Sequence, residues 1–157
     1  MRDALLILLV LFLQISSAKL FGGIFFDFLT PLLLLWSITK PFREVILWTI
    51  VTTLLVSAIY PQPFLVILTG LILAQWIFRA SFFESWRRKP GLVFAAGVSF
   101  SFMWQFCGLV FASVTTELIT MPLCFPPLLS SFVSAGLFTV IVFRVAMFKA
   151  ELEGDAW

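Results

Sequence analysis

A chain of 157 residues that is 62% hydrophobic and 11% charged, with a mean hydropathy of +1.13, is neither an ordinary soluble domain nor a disordered chain. A soluble domain carries about 25% charged residues. The net charge of +2 is too small to point to nucleic acid, and the absence of histidine removes Ser-His-Asp and Cys-His nucleophiles, histidine-ligated zinc and a haem histidine. Cys107 and Cys124 have neither metal-site nor disulfide spacing, and no phosphate-binding glycine motif occurs, so no cofactor is expected.

Several apolar runs approach the ~20 residues that carry a helix across ~30 Å of hydrocarbon. They are continuous rather than alternating, which argues against a β-barrel. The expected fold is all-α: a polytopic membrane protein forming one domain over residues 1–157, a bundle of six transmembrane helices.

The first helix is expected at 4–20. Its alternative is a cleavable signal, because Ser16-Ser17-Ala18 follows the apolar core, although Asp3 offsets Arg2 in the leading segment. Lys19, Gly22 and Gly23 mark a turn, and a second helix over 24–39 contains Asp27 and Pro31. The charged stretch from Lys40 to Glu44 leads into a third helix over 45–60. Pro61 and Pro63 stop it, since proline donates no backbone hydrogen bond and restricts the residue before it. A fourth helix over 64–78 runs into the loop 79–90, a fifth covers 91–116, residues 117–127 form the longest loop of the other side, and a sixth helix covers 128–148.

The loop 79–90 holds Arg79, Arg87, Arg88 and Lys89. Each Arg or Lys at the centre of a bilayer costs ~2.5–3.5 kcal/mol on insertion scales, so this cluster lies outside the hydrocarbon and, by the positive-inside rule, in the cytoplasm. Six spans then place Arg2, Lys40, Arg43, Arg79, Arg87, Arg88, Lys89, Arg144 and Lys149 on that side and Lys19 alone on the other, which gives an N-in, C-in orientation. Trp36, Trp48, Trp76 and Trp86 fall at the cytoplasmic ends, where an interfacial belt is expected.

Phe82, Phe83 and Trp86 accompany Arg79, Arg87, Arg88 and Lys89, a composition that fits either a patch for anionic lipid or a partner, or a plain topology determinant. Asp27 is a functional candidate as an acid within an apolar run; the simpler expectation is that it pairs with Lys19 at headgroup depth. Glu117 is expected at the outer interface. Gln14, Gln75 and Gln105 are read as interhelical amide contacts or as groups for a polar ligand, Gln105 being the best placed, with Trp104 beside it and Ser101 one turn back. Arg144 is expected to reach the cytoplasmic interface with its long stem. Small residues four apart occur at Gly97 and Ser101 and at Ser131 and Ala135, among others, and allow close helix approach.

Leu11–Gln14 of the first helix, and the run FDFLTPLLLLWSITKPFR at 26–43 leading into a short Pro/basic turn, resemble the MreD family of rod shape-determining membrane proteins, as does the six-helix layout. The resemblance covers nearly the whole chain in layout. The family's Gly…Asp…Ser-Gly…Leu-Gly pattern is missing: residues 52–64 read TTLLVSAIYPQPF, with Ser57 near the position of the Asp, so none of its residues carries over. The resemblance implies a non-enzymatic scaffold of the bacterial cell-wall elongation machinery, set in the inner membrane and partnered by lipids, an MreC-like bitopic protein and other elongation proteins. The family's fold is similar to the substrate-binding S components of energy-coupling-factor transporters, which supplies the alternative of a small-molecule-binding subunit. An intramembrane enzyme using Asp27 and Glu117 is a third reading.

Overall fold

The structure is a computed structural model that describes residues 2–21, 26–59, 63–81, 89–115 and 121–153. Among the described residues there are six α-helices and no strand: α1 (Arg2–Leu20), α2 (Leu29–Thr39), α3 (Phe42–Ile59), α4 (Phe64–Ser81), α5 (Pro90–Thr115) and α6 (Met121–Glu153). Two stretches, Pro90–Cys107 and Leu128–Lys149, are long and apolar enough to cross a membrane; Asp3–Ser17, Leu29–Thr39 and Phe64–Arg79 are shorter apolar helices.

The helix starts follow the prolines. The Pro41 carbonyl accepts from the N–H groups of Glu44 and Val45, so Phe42, Arg43 and Glu44 form the first turn of α3 rather than a charged loop. Glu44 there faces the positive end of the helix dipole. Pro63 does the same for Val66 and Ile67 at the head of α4. Pro90 is the first residue of α5, where its missing N–H would have been unpaired in any case.

Three other boundaries differ from expectation. Helix α4 continues to Ser81 and takes Arg79 into its last turn. Helix α6 begins at Met121, so 121–127 is helical and not loop; Pro122 is tolerated in its first turn, while Pro126 and Pro127 cannot donate in its second. Helix α2 begins at Leu29, which leaves Asp27 outside it.

The short α2 is the hub. It packs against every other helix, and Leu29, Thr30, Pro31, Leu33, Leu34, Trp36 and Ser37 are all buried. A helix that is apolar all round belongs in an interior. Helix α1 offers one face to it, with Ile7, Leu11, Gln14 and Ser17 buried and Leu5, Leu8, Leu9, Phe12 and Leu13 exposed. Leu29, Leu33 and Leu34 join Ile67, Leu71 and Phe78 of α4 and Phe100 and Trp104 of α5 in one apolar core. Trp36 lies inside it, against Trp48 at 5.8 Å between ring centroids, so it does not belong to an outward-facing belt; Trp76 is exposed.

Helices α5 and α6 run antiparallel at close range. A Cβ added to Gly97 would stand 2.5 Å from Thr139 Oγ1 and 2.8 Å from the Ala135 carbonyl oxygen, and one added to Gly136 would stand 2.6 Å from the Phe94 ring. Only glycine lets the two backbones approach this far. Gly97 therefore faces α6 and Ser101 is buried, whereas Ala95 and Ser99 are exposed.

The surface is apolar. Leu5, Phe12, Leu20, Leu47, Leu65, Trp76, Leu129, Ile141, Val145 and Phe148 are each more than half exposed. The buried polar residues include Gln14, Asp27, Thr49, Thr52, Thr53, Gln75, Ser101, Ser131, Ser134 and Thr139.

Candidate functional site

Asp27 is fully buried at the head of α2. Its Oδ1 accepts from the backbone N–H groups of Leu29 (3.1 Å) and Thr30 (2.9 Å), the bonding of a helix N-cap. These donors are among the first four of the helix, which have no partner within it. The local sequence explains the break: Asp27 is a strong cap, and Pro31 falls in the first turn, where a missing N–H is least costly.

The other carboxylate oxygen reaches across the bundle. Oδ2 accepts from Thr30 Oγ1 and from Ser101 Oγ of α5, both at 2.6 Å. Gln105 Nε2 donates to Ser101 Oγ (2.8 Å) and Ser131 Oγ of α6 (2.6 Å), and stands 3.4 Å from Oδ2. The Asp27 backbone N–H donates to Ser134 Oγ at 2.9 Å, and that hydroxyl donates on to the Ser131 carbonyl. Trp104 Nε1 donates to Thr30 Oγ1 at 3.1 Å. A carboxylate offers about four acceptor positions. Two N–H groups and two hydroxyls of the chain itself fill them. The centre joins α2, α5 and α6 through one acid, and its chemistry is that of a structural knot.

This overturns the expected pairing of Asp27 with Lys19. Lys19 is exposed near the end of α1, and the acid's partners are neutral donors from α2 and α5. Gln105 belongs to this centre. Gln75 lies elsewhere: its Nε2 donates to Thr49 Oγ1 of α3 at 2.7 Å, and that hydroxyl donates to the Val45 carbonyl at 2.7 Å. Gln14 is buried in α1, with Oε1 free of any hydrogen-bond partner. The three amides therefore occupy three places rather than one. Glu117 lies outside the described residues.

A second assembly occupies the other end of α2. Lys40 Nζ pairs with Asp3 at 2.7 Å, approaches Glu44 at 3.8 Å and lies 5.1 Å from the centre of the Trp36 ring. Arg79 reaches the carbonyls of Ser37 (3.5 Å) and Lys40 (3.3 Å) and sits over the Phe42 ring. A cation at the last carbonyls of a helix meets its negative end. Arg79 is thus committed to the C-terminus of α2, apart from the rest of the expected basic patch. Lys89 is exposed, as are Arg43, Arg144 and Lys149, whereas Phe82, Phe83, Trp86, Arg87 and Arg88 lie outside the described residues.

Sequence reasoning missed Thr30 and Ser134 as partners of Asp27, and Ser131 as the partner of Gln105 beside it. The spacing Asp27-x-x-Thr30 ahead of an apolar run is a capping signal that locates the first of these. The two serines read as small packing residues, and only the rotation of α6 reveals that they also bond. Among the described residues no group of three His, Cys, Asp or Glu side chains could hold a metal ion. Comparison with protein-family models, with curated proteins and with solved structures finds no match for this chain.

Proposed function

We propose that the chain is a six-span membrane protein, N-in and C-in, that acts without catalysis as a scaffold for partner membrane proteins. The observation that supports this best is the inverted distribution of polarity. Asp27, Ser101, Gln105 and Ser131 bond to one another inside, while leucine, phenylalanine and valine cover the outside. In water such a surface would be an aggregation liability; in lipid it is the ordinary exterior.

The capping of α2 fits the same reading. Its 11 residues rise about 16 Å, roughly half the hydrocarbon thickness, so its head lies at membrane depth. Non-helical backbone is tolerated there only when buried in protein and fully bonded, and Asp27 supplies those bonds. With the acid's acceptor positions filled by the chain, a solute-binding S component is less well served than a scaffold whose working surface is its outer face.

The finer reading is that of an MreD-like component of bacterial cell-wall elongation in the inner membrane, held to an MreC-like bitopic protein. It rests on the run 26–43 and the six-helix layout. The test is affinity purification of the tagged chain from native membranes, with cysteine labelling of both termini and depletion in the cell. The expected result is a membrane-retained protein with cytoplasmic termini that recovers an MreC-like partner and whose loss rounds the cell. Recovery in the soluble fraction would refute the membrane reading. A membrane monomer whose loss leaves shape unchanged would refute the scaffold.

A further inference from the structure

Helix α4 has two unlike faces. Ile67, Leu71, Ala74 and Phe78 lie in the core, and Gly70 lies against Trp104 of α5. On the opposite side Leu68, Thr69, Ile72, Leu73 and Trp76 line an open groove of about 400 Å³. Thr69 donates its hydroxyl to the Leu65 carbonyl at 2.7 Å, which leaves the floor of the groove apolar. From Leu68 to Trp76 the groove follows the helix axis for about 12 Å. One leaflet of hydrocarbon is about 15 Å deep.

Arg79 follows Ile72 by two turns and Trp76 by one, so it stands on the same face, just past the end of the groove. It is exposed. Its contacts with the Ser37 and Lys40 carbonyls both use Nη1, one nitrogen of three. A guanidinium carries five N–H donors in a planar fork that suits a phosphate. Lys40 differs, because Asp3 and Glu44 offset its charge; among the described residues no acid pairs with Arg79.

An apolar groove about one leaflet deep that ends at an exposed cation is complementary to an amphiphile with an anionic head. We propose that this face of α4 holds one anionic phospholipid. An acyl chain lies along Leu68, Ile72 and Leu73, the headgroup phosphate sits on Arg79, and the exposed Trp76 ring stands between them at the interface, where tryptophan is favoured. The site rests on the membrane reading above and assigns a ligand to part of the outer surface.

The experiment is quenching of tryptophan fluorescence by brominated lipid, with the full chain in nanodiscs of phosphatidylcholine and a minor fraction of phosphatidylglycerol. The bromine is placed on the acyl chains of one lipid or of the other, and the quenching that Trp76→Phe removes is that of Trp76. Per lipid present, brominated phosphatidylglycerol is expected to quench Trp76 about fivefold more than brominated phosphatidylcholine. Arg79→Gln brings the ratio to one and Arg79→Lys retains most of it. Arg144→Gln removes the same charge from an exposed position on α6 and leaves the ratio unchanged. Equal quenching by the two lipids in the unsubstituted protein means ordinary boundary lipid and overturns the proposal, whether or not Arg79→Gln folds. Protection of Trp76 from both lipids means that protein covers the groove, and it overturns the proposal as well. Either result leaves the chain in the bilayer, whereas failure to enter nanodiscs overturns the membrane reading and the proposal with it.

Discussion

Ser101 Oγ stands 2.6 Å from Asp27 Oδ2, joining the middle of α5 to the residue that caps α2. The two are 74 positions apart in sequence, and the same carboxylate also holds the first two free N–H groups of α2. One side chain therefore closes the head of the central helix and fixes its docking.

Removing that side chain is the most informative change. Asp27→Ala takes away a cap, worth ~1 kcal/mol, and leaves two hydroxyls and two N–H groups short of an acceptor, at ~1–3 kcal/mol more. The expected outcome is a loss of about 2–4 kcal/mol in unfolding measured in detergent or nanodiscs. Asp27→Asn keeps an acceptor for Leu29 and Thr30 and costs less. Unchanged stability of Asp27→Ala, together with loss of partner recovery, would show that the acid serves binding rather than the fold.

Glycine substitutions report on the α5–α6 seam. A Cβ at Gly97 meets a backbone carbonyl, which cannot move without moving α6, and one at Gly136 meets the edge of the Phe94 ring. Overpacking of this kind costs ~1–3 kcal/mol. Gly97→Ala is expected to destabilise more than Gly136→Ala, because a ring can turn and a backbone cannot. Gly91 has nothing within 4 Å of its added Cβ, so Gly91→Ala is expected to be neutral or slightly stabilising. Midpoints of the three variants, measured side by side, check the order.

Much of this was legible in the residues and some was not. The apolar runs and the prolines at 41, 63 and 90 locate helices, because length, hydropathy and the missing N–H act locally. Hydropathy does not locate the head of α2 at Leu29, because the run around Asp27 is equally apolar whether helical or not. The capping pattern from Asp27 to Thr30 carried the signal, and hydropathy masked it. Trp36 shows the other limit: position along a helix is readable, but which way a residue faces depends on neighbours. The meeting of Asp27 with Ser101 and Ser134 depends on the rotation of α5 and α6, which Gly97 and Gly136 set by close approach and which no local pattern reports.

The Thr49–Gln75 contact offers a clean coupling measurement. Polar contacts between membrane helices average about 0.6 kcal/mol in double-mutant cycles, because the separated helices find other partners. Thr49 retains its bond to the Val45 carbonyl when Gln75 is changed, so its hydroxyl is never left without a partner. A cycle of Thr49→Val, Gln75→Leu and the double variant is expected to give a coupling of about 0.6 kcal/mol, read from reversible unfolding. A coupling near zero would mean that Gln75 is held by packing alone.

The basic end separates two kinds of cation. Arg79 points at the last carbonyls of α2, the negative end of that helix, so Arg79→Glu replaces an attraction with a repulsion. Lys89 is exposed immediately before α5, the positive end of that helix, so Lys89→Glu sets an acid where an acid is favoured. The two charge reversals are identical in formal charge and are expected to differ in sign: Arg79→Glu lowers the unfolding midpoint, whereas Lys89→Glu leaves it unchanged or raises it slightly. On the proposed six-span reading, membrane orientation, read by labelling a cysteine at either terminus, responds instead to the summed basic charge of 79–90. It is expected to become mixed only when Arg87, Arg88 and Lys89 are reversed together. If the triple reversal leaves orientation fixed but abolishes binding to anionic vesicles or recovery of a partner, the basic segment is a binding surface and the topology is secured by Lys40, Arg43, Arg144 and Lys149.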